Sequence, residues 1–395
     1  MATRAGVGLS VHRNPKLAGR EAAEHAIAQL AGEKPCLLLV FATIGYDQRV
    51  LLGSIQAVIP SVPLVGCSGE GVLSHRFADE SSYSVGIMAI ASDQMRVHTG
   101  LSEGLEGHSE EVGRDIGKQI LPQVDSTTKA LILFPDGLHS NFDRLVAGLY
   151  ETVPAMRSLP LVGGFAGENF SLEKTYQYWG DKVTTNGVSF ALISGALSMT
   201  VAANHGSVPI GTDREITACA GNVILEIDGQ PALQVLREYI DAASSADWGR
   251  AMAPLALGFP APNHLASEDE VILRFMPQRD EAVGSVTIPT EVEKGQTFRM
   301  TRRDLERIEQ GAKGAAEKLK KGLADRTPAF VLQFDCGGRG KLVMRETDKL
   351  RIQQGMQSLF EEGVPWLGFY TYGEIGPVNQ VNSFHNYTVV LAAFY

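Results

Sequence analysis

The chain reads as an α/β protein of repeated βαβ units, three copies in all, forming mixed, largely parallel sheets in two domains. One observation is a phrase that occurs three times. It runs Pro63-Leu64-Val65-Gly66-Cys67-Ser68-Gly69-Glu70, then Pro160-Leu161-Val162-Gly163-Gly164-Phe165-Ala166-Gly167-Glu168, then Pro365-Trp366-Leu367-Gly368-Phe369-Tyr370-Thr371-Tyr372-Gly373-Glu374. Each copy is proline, two apolar residues, glycine, a short spacer and Gly-Glu. A second observation is that the surroundings repeat as well, which a chance match of the phrase alone would not produce. A third is size: 395 residues, 44% of them hydrophobic, suffice for more than one full core.

Upstream of each phrase lies a short apolar run, at 36–42, 130–134 and 330–334, of the kind expected for strands covered on both faces. Between run and phrase, apolar residues fall at i, i+4 and i+7, which is one face of a helix: Leu51, Ile55 and Val58; Phe142, Val146 and Leu149; Ile352, Met356 and Leu359. Downstream strands are predicted at 83–90, 188–193 and 387–394, and a further helix precedes each unit, at 17–30, 109–121 and 302–323. Strand, helix, strand with a short connection makes a βαβ unit. Its glycine-rich phrase then ends the second strand, where open sheets bind ligands. The same glycines also suit a plain tight turn. Residues 195–292 do not repeat; they offer a strand at 223–227, a helix at 231–240, a Pro- and Ala-rich segment from 241 through 265, and strands at 271–275 and 284–289. The domain division follows: 1–224 with units at 7–90 and 95–193, and 225–395 with the inserted segment and a unit at 297–395.

Composition narrows the function. A formal charge of −10, with no run of four basic residues, disfavours nucleic acid and anionic lipid as partners. The apolar runs fall far short of a membrane span, and no secretory signal is visible, so a soluble, cytoplasmic protein is expected. Four scattered cysteines without a Cys-x-x-Cys pair, and nine histidines without a His-x-x-x-His pair, point to reduced thiols and no metal. There is no Walker loop and no Gly-x-Ser-x-Gly elbow, and Gly66, Gly69 and Gly71 are in the wrong order for a dinucleotide loop.

The chemistry-bearing residues cluster in the third unit. Arg339 can grip a carboxylate with two parallel hydrogen bonds while the backbone of Gly337 and Gly338 adds N–H donors; a structural ion pair with a glutamate is the other reading. Cys336 beside that cation is a candidate nucleophile, with His385 as the base available to it in that unit, or else a small buried hydrophobe. If extended, Tyr370, Tyr372 and Glu374 share a side, where two phenols and a carboxylate could wrap an ammonium group, or simply cover a sheet end.

Three segments carry a family resemblance: Asp335-Cys336-Gly337-Gly338-Arg339, the run from Gly368 to Pro377, and His385-Asn386-Tyr387-Thr388. They resemble the Cys-x-x-Arg, Gly-Phe-Tyr-x-Tyr-Gly-Glu and His-Asn-x-Thr signatures of the FIST sensory proteins. The resemblance implies an intracellular sensor that binds a small molecule, with amino acids proposed as ligands, and acts on a separate signalling protein such as a histidine kinase. It also implies an alternative, because some members are haem proteins that sense nitric oxide. The expected ligand-binding residues are Asp335, Cys336, Arg339, Tyr370, Tyr372, Glu374, His385 and Asn386. No catalytic residue, metal or cofactor is expected unless haem is bound, and the rival of another class is an enzyme centred on Cys336.

Overall fold

The computed structural model describes residues 3–240, 248–263 and 270–395. Its first unit contains β1 (Arg4–Ser10), α1 (Pro15–Ala28), β2 (Leu37–Ala42), α2 (Gln48–Val58), β3 (Leu64–Ser68), the hairpin β4 (Gly71–Ser74) and β5 (Phe77–Asp79), and β6 (Val85–Ala91). The second repeats that order: β7 (Met95–Glu103), α3 (Ser109–Ile120), β8 (Thr128–Pro135), α4 (Phe142–Thr152), β9 (Leu161–Gly164), the hairpin β10 (Gln177–Trp179) and β11 (Lys182–Thr184), and β12 (Gly187–Gly195). The third opens with β13 (Met199–Asn204) and is interrupted by an insertion. That insertion holds β14 (Val208–Ala220), β15 (Val223–Ile227), β16 (Gln230–Pro231), α5 (Ala232–Leu236), α6 (Trp248–Met252), β17 (Leu255–Pro260), β18 (Val271–Arg274), β19 (Gln278–Asp280), β20 (Ser285–Thr287) and β21 (Thr297–Arg302). The unit then resumes with α7 (Leu305–Leu323), β22 (Phe330–Cys336), α8 (Glu346–Gln357), β23 (Trp366–Thr371), the hairpin β24 (Glu374–Val378) and β25 (Val381–His385), and β26 (Val389–Phe394).

Each unit lends its hairpin to another. The sheets run β1-β6-β2-β3-β10-β11, β7-β12-β8-β9-β24-β25 and β13-β26-β22-β23-β4-β5. The threefold repeat and the mixed sheets match expectation, but the sheets are not largely parallel. Only β2–β3, β8–β9 and β22–β23 are parallel pairs within them. Three features shift the balance: an additional antiparallel strand opens each unit, the closing strand β6, β12 or β26 lies antiparallel beside β2, β8 or β22, and the borrowed hairpin docks antiparallel. The apolar runs suggested parallel sheets because both faces are covered, which holds here for another reason. Leu38 and Val40 of β2 face α1 and α2, while Leu39 and Phe41 face a core shared by all three units. Phe41, Phe134 and Phe369 meet at its centre, with ring centroids 4.5 Å apart for Phe41 and Phe369 and 5.3 Å for Phe41 and Phe134.

The glycine of the repeated phrase has a steric cause. Gly66 and Gly163 adopt φ of +158° and +147°, and a Cβ there would stand 1.8 Å from the Val40 oxygen and 2.0 Å from the Leu133 oxygen. At Gly368 the distance to the Gln333 oxygen would be 2.1 Å. Each glycine lies opposite its parallel neighbour, so the phrase is first of all a close backbone approach.

The insertion forms an antiparallel sheet, β18-β17-β21-β14-β15-β20-β19 with β16 on β15, over its own core of Ile216, Ile224, Leu257, Phe298 and Met300. The segment from 241 through 265 lies partly outside the described residues. Helix α7 starts later than expected, at Leu305, because Asp304 caps it by accepting from Arg307 N and because 297–302 form a strand. Among the described residues, no helix is long and apolar enough to cross a membrane.

Candidate ligand site

Strand β22 delivers Asp335 and Cys336 to its C-terminal end, and one tight turn over Gly337–Arg339 brings the guanidinium back across it. Arg339 is 1% exposed. Its Nε donates to Asp335 Oδ1 at 2.6 Å and its Nη1 to the His205 oxygen at 3.2 Å; its Nη2 has no partner among the described residues. Asp335 also accepts from Gln333 Nε2 at 3.1 Å, and burial pushes its carboxyl above the usual range. Arg339 is thus in a structural ion pair, with Asp335 where a glutamate was expected, and one guanidinium nitrogen is left over.

The inserted sheet closes this place. Cys336 packs with Ala256, Leu273 and Tyr387, and burial, then the nearby Glu374, push its thiol well above the ordinary value. Asn386 Oδ1 accepts from Phe275 N at 3.0 Å. Arg303, between β21 and α7, is 4% exposed and lies 3.5 Å from the Tyr387 ring centroid. Its Nε and Nη2 donate to the Ala253 oxygen at 3.0 and 2.7 Å, but Nη1 has no partner among the described residues, nor has the Ser207 hydroxyl. Gly338 links the two arginines: it precedes Arg339, and a Cβ on it would lie 2.4 Å from Tyr387 Cε1 and 3.6 Å from Arg303 Nη2. Arg303 and Ser207 escaped the sequence reading because Ser207 lies in the stretch that does not repeat and Arg303 at the start of a segment whose apolar spacing suggests only a helix.

The remaining expected residues divide. Glu374 is wholly buried, accepting from Thr371 Oγ1 at 2.6 Å and Thr388 N at 3.1 Å, and burial holds its carboxyl far above the usual range. His385 is its register partner, and its Nε2 donates to the Gly376 oxygen at 3.0 Å. Tyr370, opposite Asp335, packs instead with Leu73 and Ala78. Tyr372 stacks on Phe170, with ring centroids 5.6 Å apart, and its hydroxyl donates to Glu168 Oε1 at 2.8 Å. The expected shared side for Tyr370, Tyr372 and Glu374 therefore does not form. Strand β23 ends at Thr371, and Gly373 at φ +158° turns the chain, so two-residue alternation stops before Glu374.

His385, which is buried, and His205, which is half-buried, are both held neutral. Burial, the dominant cause, pushes His385 from 6.5 to about 3 and His205 from 6.5 to about 4. Their folded values lie below the unfolded one, so protonation favours unfolding: the contribution is intact above pH 6.5 and is lost as pH falls towards 3. At pH 5 each imidazole costs about 2 kcal/mol. His385→Asn should accordingly gain about 2 kcal/mol relative to the parent between pH 7.5 and pH 5 in urea unfolding. A difference that does not change with pH would reject a neutral His385.

Three repeated units that exchange hairpins, with a sheet inserted into the third that closes over two buried guanidinium groups, define a class by fold: a mixed α/β module with an inserted antiparallel sheet. The chain belongs to the FIST family. The FIST N domain matches residues 36–230 and the FIST C domain residues 232–377. FIST domains are sensory domains of signal transduction. An uncharacterized protein of Mycobacterium tuberculosis is 28% identical over 99% of this chain and 99% of its own length. An uncharacterized protein of Methanocaldococcus jannaschii is 23% identical over 58% of this chain and 45% of its own. A solved chorismatase aligns with 100% of this chain and 99% of that one at a TM-score of 0.36 and 7% identity.

Proposed function

We propose that this protein senses a small polar ligand bearing a carboxylate, an amino acid or a related acid, bound where the inserted sheet closes on the third unit. The observation that carries this reading is the pair of buried guanidinium groups, Arg303 and Arg339, each with a nitrogen lacking a partner among the described residues. Buried polar groups are almost always paired, and an unmade bond costs about 1–3 kcal/mol, more for a charged group. A carboxylate satisfies two guanidinium donors at once, and the Ser207 hydroxyl can add a third bond. Asp335 and Glu374 are then the acceptors available to an ammonium group on the same ligand. Arg303 and Ser207 belong to the seam with the insertion and Arg339 to the third unit, so a ligand held by all three favours the closed seam. A separate signalling protein, such as a histidine kinase, that distinguishes closed from open would read the occupancy.

The haem alternative finds little support in this region. The Nε2 atoms of His205 and His385 must carry protons to donate to the Val271 and Gly376 oxygens, and His205 Nδ1 accepts from Ser207 N. A protonated nitrogen offers iron no lone pair, so His205 has neither ring nitrogen free for iron, and His385 retains only Nδ1 for it. The buried thiol of Cys336 is likewise kept from the thiolate a nucleophile needs, which favours a binding module over a Cys-dependent enzyme.

Thermal unfolding with amino acids and their deaminated analogues tests the proposal, since selective ligands stabilise the native state by mass action. Arg339→Ala should weaken binding by about 2–4 kcal/mol. Arg303→Met, which leaves no buried carboxylate unpaired, should do the same in a fully folded protein. Glu374→Gln should weaken amino acids more than their deaminated analogues. Unchanged binding in Arg303→Met, or no stabilisation by any carboxylate, would reject the site.

A further inference from the structure

The geometry points to a second site: Glu70 is the anionic floor of a pocket for a primary ammonium ligand, and the Lys341 ammonium is its tethered, displaceable occupant. The three glutamates of the repeated phrase differ in how they are held. Glu168 accepts from Ser171 N, Ser171 Oγ, Leu172 N and the Tyr372 hydroxyl, and Glu374 accepts from Thr371 and Thr388. These two close their turns, as the plain reading of Gly-Glu requires. The Glu70 side chain is fully buried, yet neither carboxylate oxygen receives a hydrogen bond of ordinary geometry among the described residues. Its polar contact is the ion pair with Lys341.

That lysine is unlike a structural one. Its side chain is 39% exposed, whereas Lys349, which binds Glu80 and Glu346 at 2.6 Å, is 0% exposed. The Lys341 backbone is fixed, because its N–H bonds both Glu80 oxygens at 2.9 and 2.8 Å, so its side chain can swing out without moving the loop.

The walls suit a cation. Lys341 Nζ lies 5.7 Å from the Phe170 ring centroid, and Phe170 stacks with Tyr372. Phe170 sits at φ +62°, a strained conformation for a residue with a side chain, and the Tyr372 hydroxyl holds it there by accepting from Phe170 N at 2.8 Å. Gly337 keeps the space open: a Cβ there would lie 3.2 Å from Phe170 Cζ and 3.6 Å from Glu70 Cβ. A buried carboxylate beneath an aromatic face recognises an ammonium by ion pairing and ring-face attraction. Burial holds the Glu70 carboxyl at about 8 even with Lys341 beside it, so the resident ammonium only partly offsets the desolvation.

Removing the tethered cation should let a free one bind. At pH 8.5 a primary amine is still an ammonium ion, and n-butylammonium should raise the Tm of full-length Lys341→Ala in a saturable manner as its charge takes the place of Lys341 in favouring the Glu70 carboxylate, and 1-butanol should not. The wild type should need at least about tenfold more amine, because Lys341 competes for the site. Glu70→Gln combined with Lys341→Ala should show no amine-specific shift. No saturable shift in Lys341→Ala, or an equal one in the double variant, overturns the assignment. Should Lys341→Ala not fold, wild-type protein with carboxyl-labelled glutamate decides: n-butylammonium must shift the Glu70 carboxyl resonance, and an unmoved resonance overturns the site. Neither Arg303 nor Arg339 takes part, so failure here leaves the carboxylate reading standing, and the reverse also holds.

Discussion

Lys349→Ala should cost about 3–5 kcal/mol of stability, the loss typical when one partner of a buried ion pair is removed and the other stays in place. Lys349 Nζ meets Glu80 Oε2 at 2.6 Å, with both side chains essentially inaccessible to water. Burial works against the Lys349 charge, but the bonds to Glu346 and Glu80 outweigh it and hold the ammonium above its ordinary value. Glu80 follows β5, so this pair fastens the hairpin of the first unit to the helix α8 of the third. The uncompensated carboxylate is the cause of the loss, so Glu80→Gln together with Lys349→Met should recover most of it. Urea unfolding of the parent and the two variants measures both effects. A loss under about 1 kcal/mol in Lys349→Ala would place the pair among weak surface bridges.

Gly66→Ala should be as damaging, at about 3–5 kcal/mol, from overpacking and positive-φ strain together. The added methyl would meet the Val40 carbonyl, a backbone atom of the paired strand that cannot swing aside, 1.8 Å away. Gly53 and Gly355 provide the control, since a Cβ at either meets nothing within 4 Å and both lie inside helices. Alanine there should stabilise by about 0.5–1 kcal/mol. Equal tolerance at Gly66 and Gly53 in thermal unfolding would remove the steric account of the repeated phrase.

The three units, their central strands and helices, and the family signatures around Cys336, Tyr370 and His385 were legible in the sequence. Each depends on information carried locally: apolar residues at helical spacing, continuous apolar runs where both strand faces are covered, glycine where backbones approach. The sequence also singled out Arg339 as an anion clamp, and the fold leaves that guanidinium one free nitrogen among the described residues. What it did not contain was the choice of partner. Which sheet a hairpin joins is settled by the shared core around Phe41, Phe134 and Phe369, where three units bury more apolar surface together than any buries alone. The contacts that give charged residues their roles span still longer separations: Glu80 and Lys349 are 269 residues apart, and Arg339 reaches the His205 oxygen across 134. Residue type says that a lysine can pair with a carboxylate. Only tertiary burial decides that Lys349 is locked to Glu80 while Lys341 stays half in water above Glu70, because the strength of an ion pair depends on how much solvent the fold removes from it.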